Sequence, residues 1–241
     1  KALIRSVARL PKPEGSLDLR LAVRSSAWRE DGNDSFAGQY TSLLNRKPAG
    51  LAEAYKTVLA GAYGSSAMEY RRQRGFSLTD VRMGVSCQIM IQAKASGVLY
   101  TVDPLDPKSG FMPVTTAWGL GAPIVDGTMM ADRFRIGRQA PHVLETLSTA
   151  LKKERLSEGP EEGLACMPVA EALWNATSLN PQQATILAEA GLMIERHFKS
   201  PQDIEFAFDS EDRLVILQAR PLLLQVRSAP KTKDLPEVLK K

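Results

Sequence analysis

The chain has 241 residues, of which 44% are hydrophobic and 24% charged, with a net charge of +4; this is the composition of a globular protein large enough for one big domain or two lobes. Its Lys and Arg are scattered, which argues against a nucleic-acid partner and suits a polyanionic small ligand. Cys87 and Cys166 have no metal spacing and make no disulfide framework, and no apolar run reaches membrane-spanning length or reads as a signal peptide, so the expectation is a cytoplasmic protein with no membrane partner.

Residues 1–10 read as the end of a helix, broken by the Pro- and Gly-bearing residues 11–15. The opening at Lys1, without an initiator Met, predicts a fragment of a longer protein. Residues 19–23 predict a short strand that delivers Arg24, Ser25 and Ser26 at its carboxyl end. Residues 27–40 are small, polar and Gly-containing, hence a loop. Such a loop either faces solvent or turns its backbone N–H groups to a phosphate. Residues 41–44 predict another short strand.

Residues 50–74 predict a helical stretch, with Leu51, Ala54, Tyr55, Val58, Leu59 and Ala62 at helical spacing. Arg71, Arg72 and Arg74 gather near its end, where the helix dipole favours positive charge; for Arg71 a phosphate contact is an equally open reading. Residues 83–91 predict a strand in which Gln88 is a polar amide in need of a partner, either backbone or a ligand's hydroxyl or base edge. Further strands are predicted at 97–102, 112–117 and 132–136, and an exposed hairpin or loop at 152–168. Asn180 and Pro181, with Gln183, open a helix as N-cap and first helical residue. Its predicted buried stripe is Ile186, Leu187, Ala190, Met193, Ile194 and Phe198, with His197 alongside as a structural residue. Residues 224–241 read as a tail or linker.

The stretch at 201–221 carries the chemistry. Asp203, Glu205 and Ala207 alternate with Ile204, Phe206 and Phe208, so the acids share one face of a strand. Residues 209–212 read as a turn, and the run from Leu214 is apolar enough to be buried on both faces until Gln218 and Arg220. A four-residue turn predicts Phe208 opposite Arg213 and Asp203 opposite Gln218. Glu205 and Gln218 are then diagonal neighbours, about 7–8 Å apart. A carboxylate and an amide oxygen at that distance can share a small hard cation such as Mg²⁺, which completes its shell with phosphate oxygens and water. A solvated edge strand whose acids face water accounts for the same spacing. A slip of one residue would put the two side chains on opposite faces. The mixed order of elements predicts an α+β fold.

Four stretches together resemble one family. They are Ala22-Val23-Arg24-Ser25-Ser26-Ala27 with Glu30-Asp31 and Ser35-Phe36-Ala37-Gly38-Gln39; Gln88-Ile89-Met90 followed by Ser96-Gly97-Val98-Leu99-Tyr100-Thr101; Trp118-Gly119-Leu120-Gly121; and Pro201-Gln202-Asp203-Ile204-Glu205-Phe206 with Gln218-Ala219-Arg220-Pro221. They look like the nucleotide-binding domain of phosphoenolpyruvate synthase, pyruvate phosphate dikinase and rifampicin phosphotransferase. The resemblance implies an ATP-grasp-like domain at 19–223, an antiparallel or mixed sheet with flanking helices that holds Mg·ATP between two lobes. The family's N-terminal lobe with its phosphate-binding Lys would precede Lys1, so the domain is expected to be truncated, with residues 1–18 a leading remnant.

The activity implied is that of an ATP-dependent phosphotransferase of dikinase type. It cleaves ATP to AMP and phosphate and passes a phosphoryl group to a His on a separate swivelling domain, then to a small-molecule acceptor held by another domain of the full-length protein. By match, Arg24 and Arg220 would act on the phosphates, and Gly38 and Ser42 would belong to the phosphate-side loop. Gln88 would lie near the base or ribose. Glu205 and Gln218 would bind Mg²⁺, with Asp203 supporting them. Trp28-Arg29 departs from the small residues usual in the family, and neither His142 nor His197 lies in a phospho-His motif. The alternatives are a nucleotide-sensing module without chemistry and another ATP-grasp ligase.

Overall fold

The computed structural model describes residues 19–27, 40–77, 79, 81–125 and 127–224. Expectations for 1–18, for the loop around Trp28-Arg29 and Gly38, and for 225–241 lie outside the described residues.

The chain begins with strands β1 (Leu21–Ala27) and β2 (Ser42–Arg46), helices α1 (Leu51–Gly61) and α2 (Ser65–Gln73), and strand β3 (Met83–Ile89). The three strands pair antiparallel in the order β2-β1-β3. Leu21 and Val23 point into a small core shared with Leu51, Ala54 and Val58 of α1, so the predicted helical spacing is the face that covers this sheet. The helical stretch is divided, however. A 3₁₀ turn (Pro48–Gly50) leads in, and Gly64, in an extended conformation, separates α1 from α2. Arg71 is buried and donates to the Ala62 carbonyl at 2.8 Å and the Tyr40 hydroxyl at 3.0 Å, which supports the structural reading. Arg72 forms an exposed pair with Glu69.

Next come β4 (Ala93–Tyr100), β5 (Phe111–Trp118), the short helix α3 (Ala122–Val125), β6 (Asp132–Gly137), β7 (Leu144–Ser148) and the hairpin of β8 (Glu154–Glu158) and β9 (Leu164–Pro168). Helix α4 (Pro181–Phe198) and strands β10 (Gln202–Asp209) and β11 (Leu214–Pro221) complete the fold. Six strands form one antiparallel sheet in the order β11-β10-β4-β5-β6-β7. One face of it packs on α4 through Leu99, Val114, Phe134, Ile204, Phe206 and Leu187. The other face is left for the site. Helices with antiparallel sheets make the α+β architecture that the order of elements predicted.

Helix α4 opens as expected: Asn180 accepts from Gln183 N at 2.9 Å, and the Gln183 side chain accepts from Asn180 N at 3.0 Å. Its rotation differs from the prediction. Gln183, Ala184, Leu187, Ala188 and Gly191 are buried, whereas Met193 and Phe198 are 63% and 55% exposed. Close approach to the sheet explains this. A Cβ on Gly191 would stand 2.6 Å from Leu99 Cδ2, so the helix turns its small residues inward. Strand β11 is also corrected. It is the edge of the sheet, with Ile216 37% exposed, not a strand buried on both faces.

The β8–β9 hairpin spans the two main sheets. Midway along it, Leu120 N donates to Leu156 O at 2.9 Å, and Gly119, at φ +79°, comes so close that a Cβ would lie 2.3 Å from that carbonyl. At its tip, Asn45 Nδ2 donates to the carbonyls of Gly159 and Gly163 at 2.9 and 2.7 Å, and Arg46 and Lys47 pair with Glu162 and Glu161. Among the described residues no helix is long and apolar enough to cross a membrane.

Candidate functional site

A cleft opens between the three-stranded sheet and the free face of β4, β10 and β11. The lining includes Ala22, Met90, Gly97 and Ala207 as apolar wall, with Arg24, Gln88 and Glu205 as polar groups. Arg24 is carried by the central strand β1, opposite Ser42 of β2 on one side and Ser86 of β3 on the other. The Ser42 side chain is exposed.

The β10–β11 hairpin differs from its predicted register twice, by one residue each time and in the same direction, so the side chains return to the predicted face two residues out of the predicted pairing. Asp209 stays in β10, where its carboxylate accepts from the backbone N–H of Glu211 and Arg213, both at 2.9 Å, and tightens the turn. Phe208 consequently faces Leu214, one residue away from the expected Arg213. That slip alone would set Leu217 opposite Glu205 and turn Gln218 to the other face. A β-bulge intervenes: Phe206 pairs with Ile216 but Glu205 pairs with Gln218, which leaves Leu217 as the extra residue. Glu205 thus faces Gln218 directly, not diagonally, and Asp203 faces Arg220. The Leu217 carbonyl accepts a hydrogen bond from Gln88 Nε2 at 3.3 Å.

Two ion-paired rows result. In the first, Arg24 Nη1 donates to Glu205 Oε2 at 3.2 Å and to Gln218 Oε1 at 3.4 Å. The two oxygens converge on one cationic nitrogen. A carboxylate and an amide oxygen arranged so also fit a small hard cation. Arg24 Nε is buried without a partner among the described residues. In the second row, Arg220 Nε and Nη2 both donate to Asp203 Oδ2, at 2.9 and 2.8 Å. Burial raises the Asp203 carboxyl above its ordinary range, and Arg220 opposes this only in part. Burial also works against the charge on Arg220, but Asp203 and Glu205 outweigh it and hold the guanidinium protonated. Asp203 is therefore engaged in steadying Arg220.

The family model that matches this chain is pyruvate phosphate dikinase, AMP/ATP-binding domain, over residues 1–240. The chain belongs to that family. As an AMP/ATP-binding domain it is 34% identical over 220 residues to the phosphoenolpyruvate synthase of Neisseria meningitidis serogroup B, covering 86% of this chain and 28% of that protein. It is 32% identical over 239 residues to the phosphoenolpyruvate synthase of Helicobacter pylori, covering 92% and 29%. A third relative, the prodigiosin synthesizing transferase PigC of Serratia marcescens, is 32% identical over 209 residues, covering 86% and 23%. The chain thus spans less than a third of the length of each of these relatives.

Of the residues singled out from the sequence of this AMP/ATP-binding domain, Arg24, Gln88 and Glu205 line the cleft. Gln218 joins them through Arg24, and Asp203 and Arg220 form the adjacent row. Neither His lines the cleft. His142 is buried in a turn, with Nδ1 2.9 Å from Gly137 O, and His197 lies edge-on to Phe198. Sequence reasoning missed Leu217. Nothing marks it within the continuous apolar run Leu214-Val215-Ile216-Leu217.

Proposed function

We propose that this domain binds Mg·ATP in the cleft and serves as the nucleotide-binding part of a phosphotransferase of the phosphoenolpyruvate synthase and pyruvate phosphate dikinase type. The observation that carries the reading is the convergence of Arg24, Glu205 and Gln218, with the Asp203–Arg220 pair beside them, at one end of an apolar cleft. Residues 19–223 form the unit, an ATP-grasp arrangement with the nucleotide between two sheets. The apolar wall takes the base, with Gln88 at its edge. Arg24 and Arg220 neutralise phosphate charge, which is most of what phosphoryl transfer requires of a protein. Ser42 lies on the phosphate side. Glu205 and Gln218 hold Mg²⁺, which supplies further neutralisation of that charge, and Asp203 keeps Arg220 in place. The phosphoryl group passes to a His on a swivelling domain of the full-length protein and on to an acceptor outside this chain.

Calorimetric titration of ATP, with and without Mg²⁺, into the chain and its Arg24→Ala and Glu205→Ala variants tests the reading. Mg-dependent binding by the parent is expected, weakened about ten-fold or more in each variant by loss of a charged contact. Absence of binding by the parent, or binding that both variants leave intact, overturns it. In the full-length protein AMP is the expected product; ADP alone would rule out the dikinase chemistry.

A further inference from the structure

The free face of the large sheet is laid out in steps of two residues along β10. Ala207 lines the apolar cleft, Glu205 meets Gln218, and Asp203 meets Arg220. Each step is about 6.7 Å, so the three levels span about 13 Å. The neighbouring strand β4 follows the same rows on the other flank: Ser96 lies opposite Ala207, Val98 opposite Glu205, and Tyr100 opposite Asp203. Residues directly opposite in an antiparallel pair share a face. The third row therefore reads Arg220, Asp203, Tyr100 across three adjacent strands, on the face that carries Glu205 and Gln218. Leu99 and Thr101, on either side of Tyr100, are fully buried, in keeping with the opposite orientation.

The Tyr100 side chain is half-buried, and among the described residues its hydroxyl has no hydrogen-bond partner. The surroundings act on it all the same: burial and then Asp203 push the phenol up, and Arg220 draws it down. At any pH near neutral it is an O–H donor in one row with a guanidinium, with Asp203 between them, whose Oδ2 is held by Arg220 and whose Oδ1 has no partner among the described residues. That is a set of groups suited to an anion with several oxygens.

We infer that Tyr100 is a further binding residue, whose hydroxyl, together with Arg220, takes the terminal phosphoryl group of the bound nucleotide. The inference rests on the nucleotide reading above. A nucleotide with its base at the Ala207 level and its cation at the Glu205 level extends its phosphates toward the Asp203 level, two steps along the strand. A monophosphate does not reach so far. Tyr100 thus favours the triphosphate over AMP.

The test is calorimetric titration of Mg·ATP and of AMP into the parent chain, Tyr100→Phe, Arg220→Met and the double variant. Tyr100→Phe removes only the hydroxyl and is expected to keep the thermal midpoint of the parent. It should weaken Mg·ATP about ten-fold, the effect of one charged hydrogen bond, and leave AMP unchanged. A loss, altered in size because the two groups share one phosphoryl, should remain in the Arg220→Met background, because the phenol acts on the ligand itself. Unchanged ATP affinity, an equal loss for AMP, or a loss that vanishes without Arg220 each overturns the inference. A parent chain that binds neither nucleotide overturns the nucleotide reading and this inference with it. A parent that binds while Tyr100→Phe has no effect overturns this inference alone.

Discussion

Arg24 stands where the proposed cation would stand, and this makes a prediction with two opposite signs. Its Nη1 lies 3.2 Å from Glu205 Oε2 and 3.4 Å from Gln218 Oε1. The Arg24 and Glu205 side chains are 22% and 18% exposed, so the contact is neither a solvent-screened surface pair nor a dry one. A hydrogen bond between charged groups in such a place contributes about 1.5–3 kcal/mol. A divalent cation must displace the guanidinium to reach both oxygens. Arg24→Met keeps an apolar stem and removes the competitor, so cation affinity without nucleotide should rise by about ten- to a hundred-fold at 1.4 kcal/mol per decade. The same substitution deletes a cationic donor to phosphate, so ATP should bind more weakly by a similar factor. Free Mn²⁺ counted by electron paramagnetic resonance during titration reads the first effect, and calorimetry with ATP reads the second. Cation binding that is unchanged or weaker in Arg24→Met would refute Glu205 and Gln218 as the shared cation position. Undiminished ATP binding would refute Arg24 as a phosphate contact.

Two further predictions concern the scaffold. A Cβ on Gly97 would lie 2.3 Å from the Thr115 carbonyl, 2.8 Å from Thr116 Cγ2 and 2.9 Å from Phe206 Cζ. The nearest of these is backbone and cannot yield, so Gly97→Ala should cost about 3 kcal/mol in urea unfolding; a loss below about 1 kcal/mol would contradict the strand packing under the cleft. Burial pushes the Glu195 carboxyl up, but hydrogen bonds from Arg138 and Thr101 outweigh it and hold the group below its ordinary range. A lowered carboxyl contributes stability that is present above the ordinary carboxylate pKa and lost as pH falls through the lowered one. Glu195→Gln should therefore lower the thermal midpoint at neutral pH and flatten its fall in acid, and curves that stay parallel would remove Glu195 from the acid response.

The readable parts of the sequence were those governed by short-range rules. Asn180, Pro181 and Gln183 announce a helix start because an N-cap needs only its own side chain and the next few backbone N–H groups. Alternation from Asp203 to Phe208 assigns faces because a strand repeats every two residues, and the structure does put Ile204, Phe206 and Phe208 in the core. The segment at 152–168 reads from its residues as either an exposed hairpin or a loop, and the structure makes it a hairpin. Its docking on Asn45, Arg46 and Lys47 was not legible, because those partners lie more than a hundred residues away.

The site illustrates the same division. Sequence by itself determined that Asp203 and Glu205 share a face and that Gln218 and Arg220 follow in the returning strand, since both follow from residue type and period. Tertiary structure alone decided how the strands meet. The Asp209-capped turn shifts the pairing by one residue, and the bulge at Leu217 shifts it by one more, which restores the face, so that Glu205 faces Gln218 and Asp203 faces Arg220. It also decided that Arg24 would bridge the first pair from another sheet, and that Tyr100 would join the second. Register and rotation depend on packing summed over many distant residues, such as α4 lying close enough to the sheet to require Gly191 beside Leu99. No local period carries that sum.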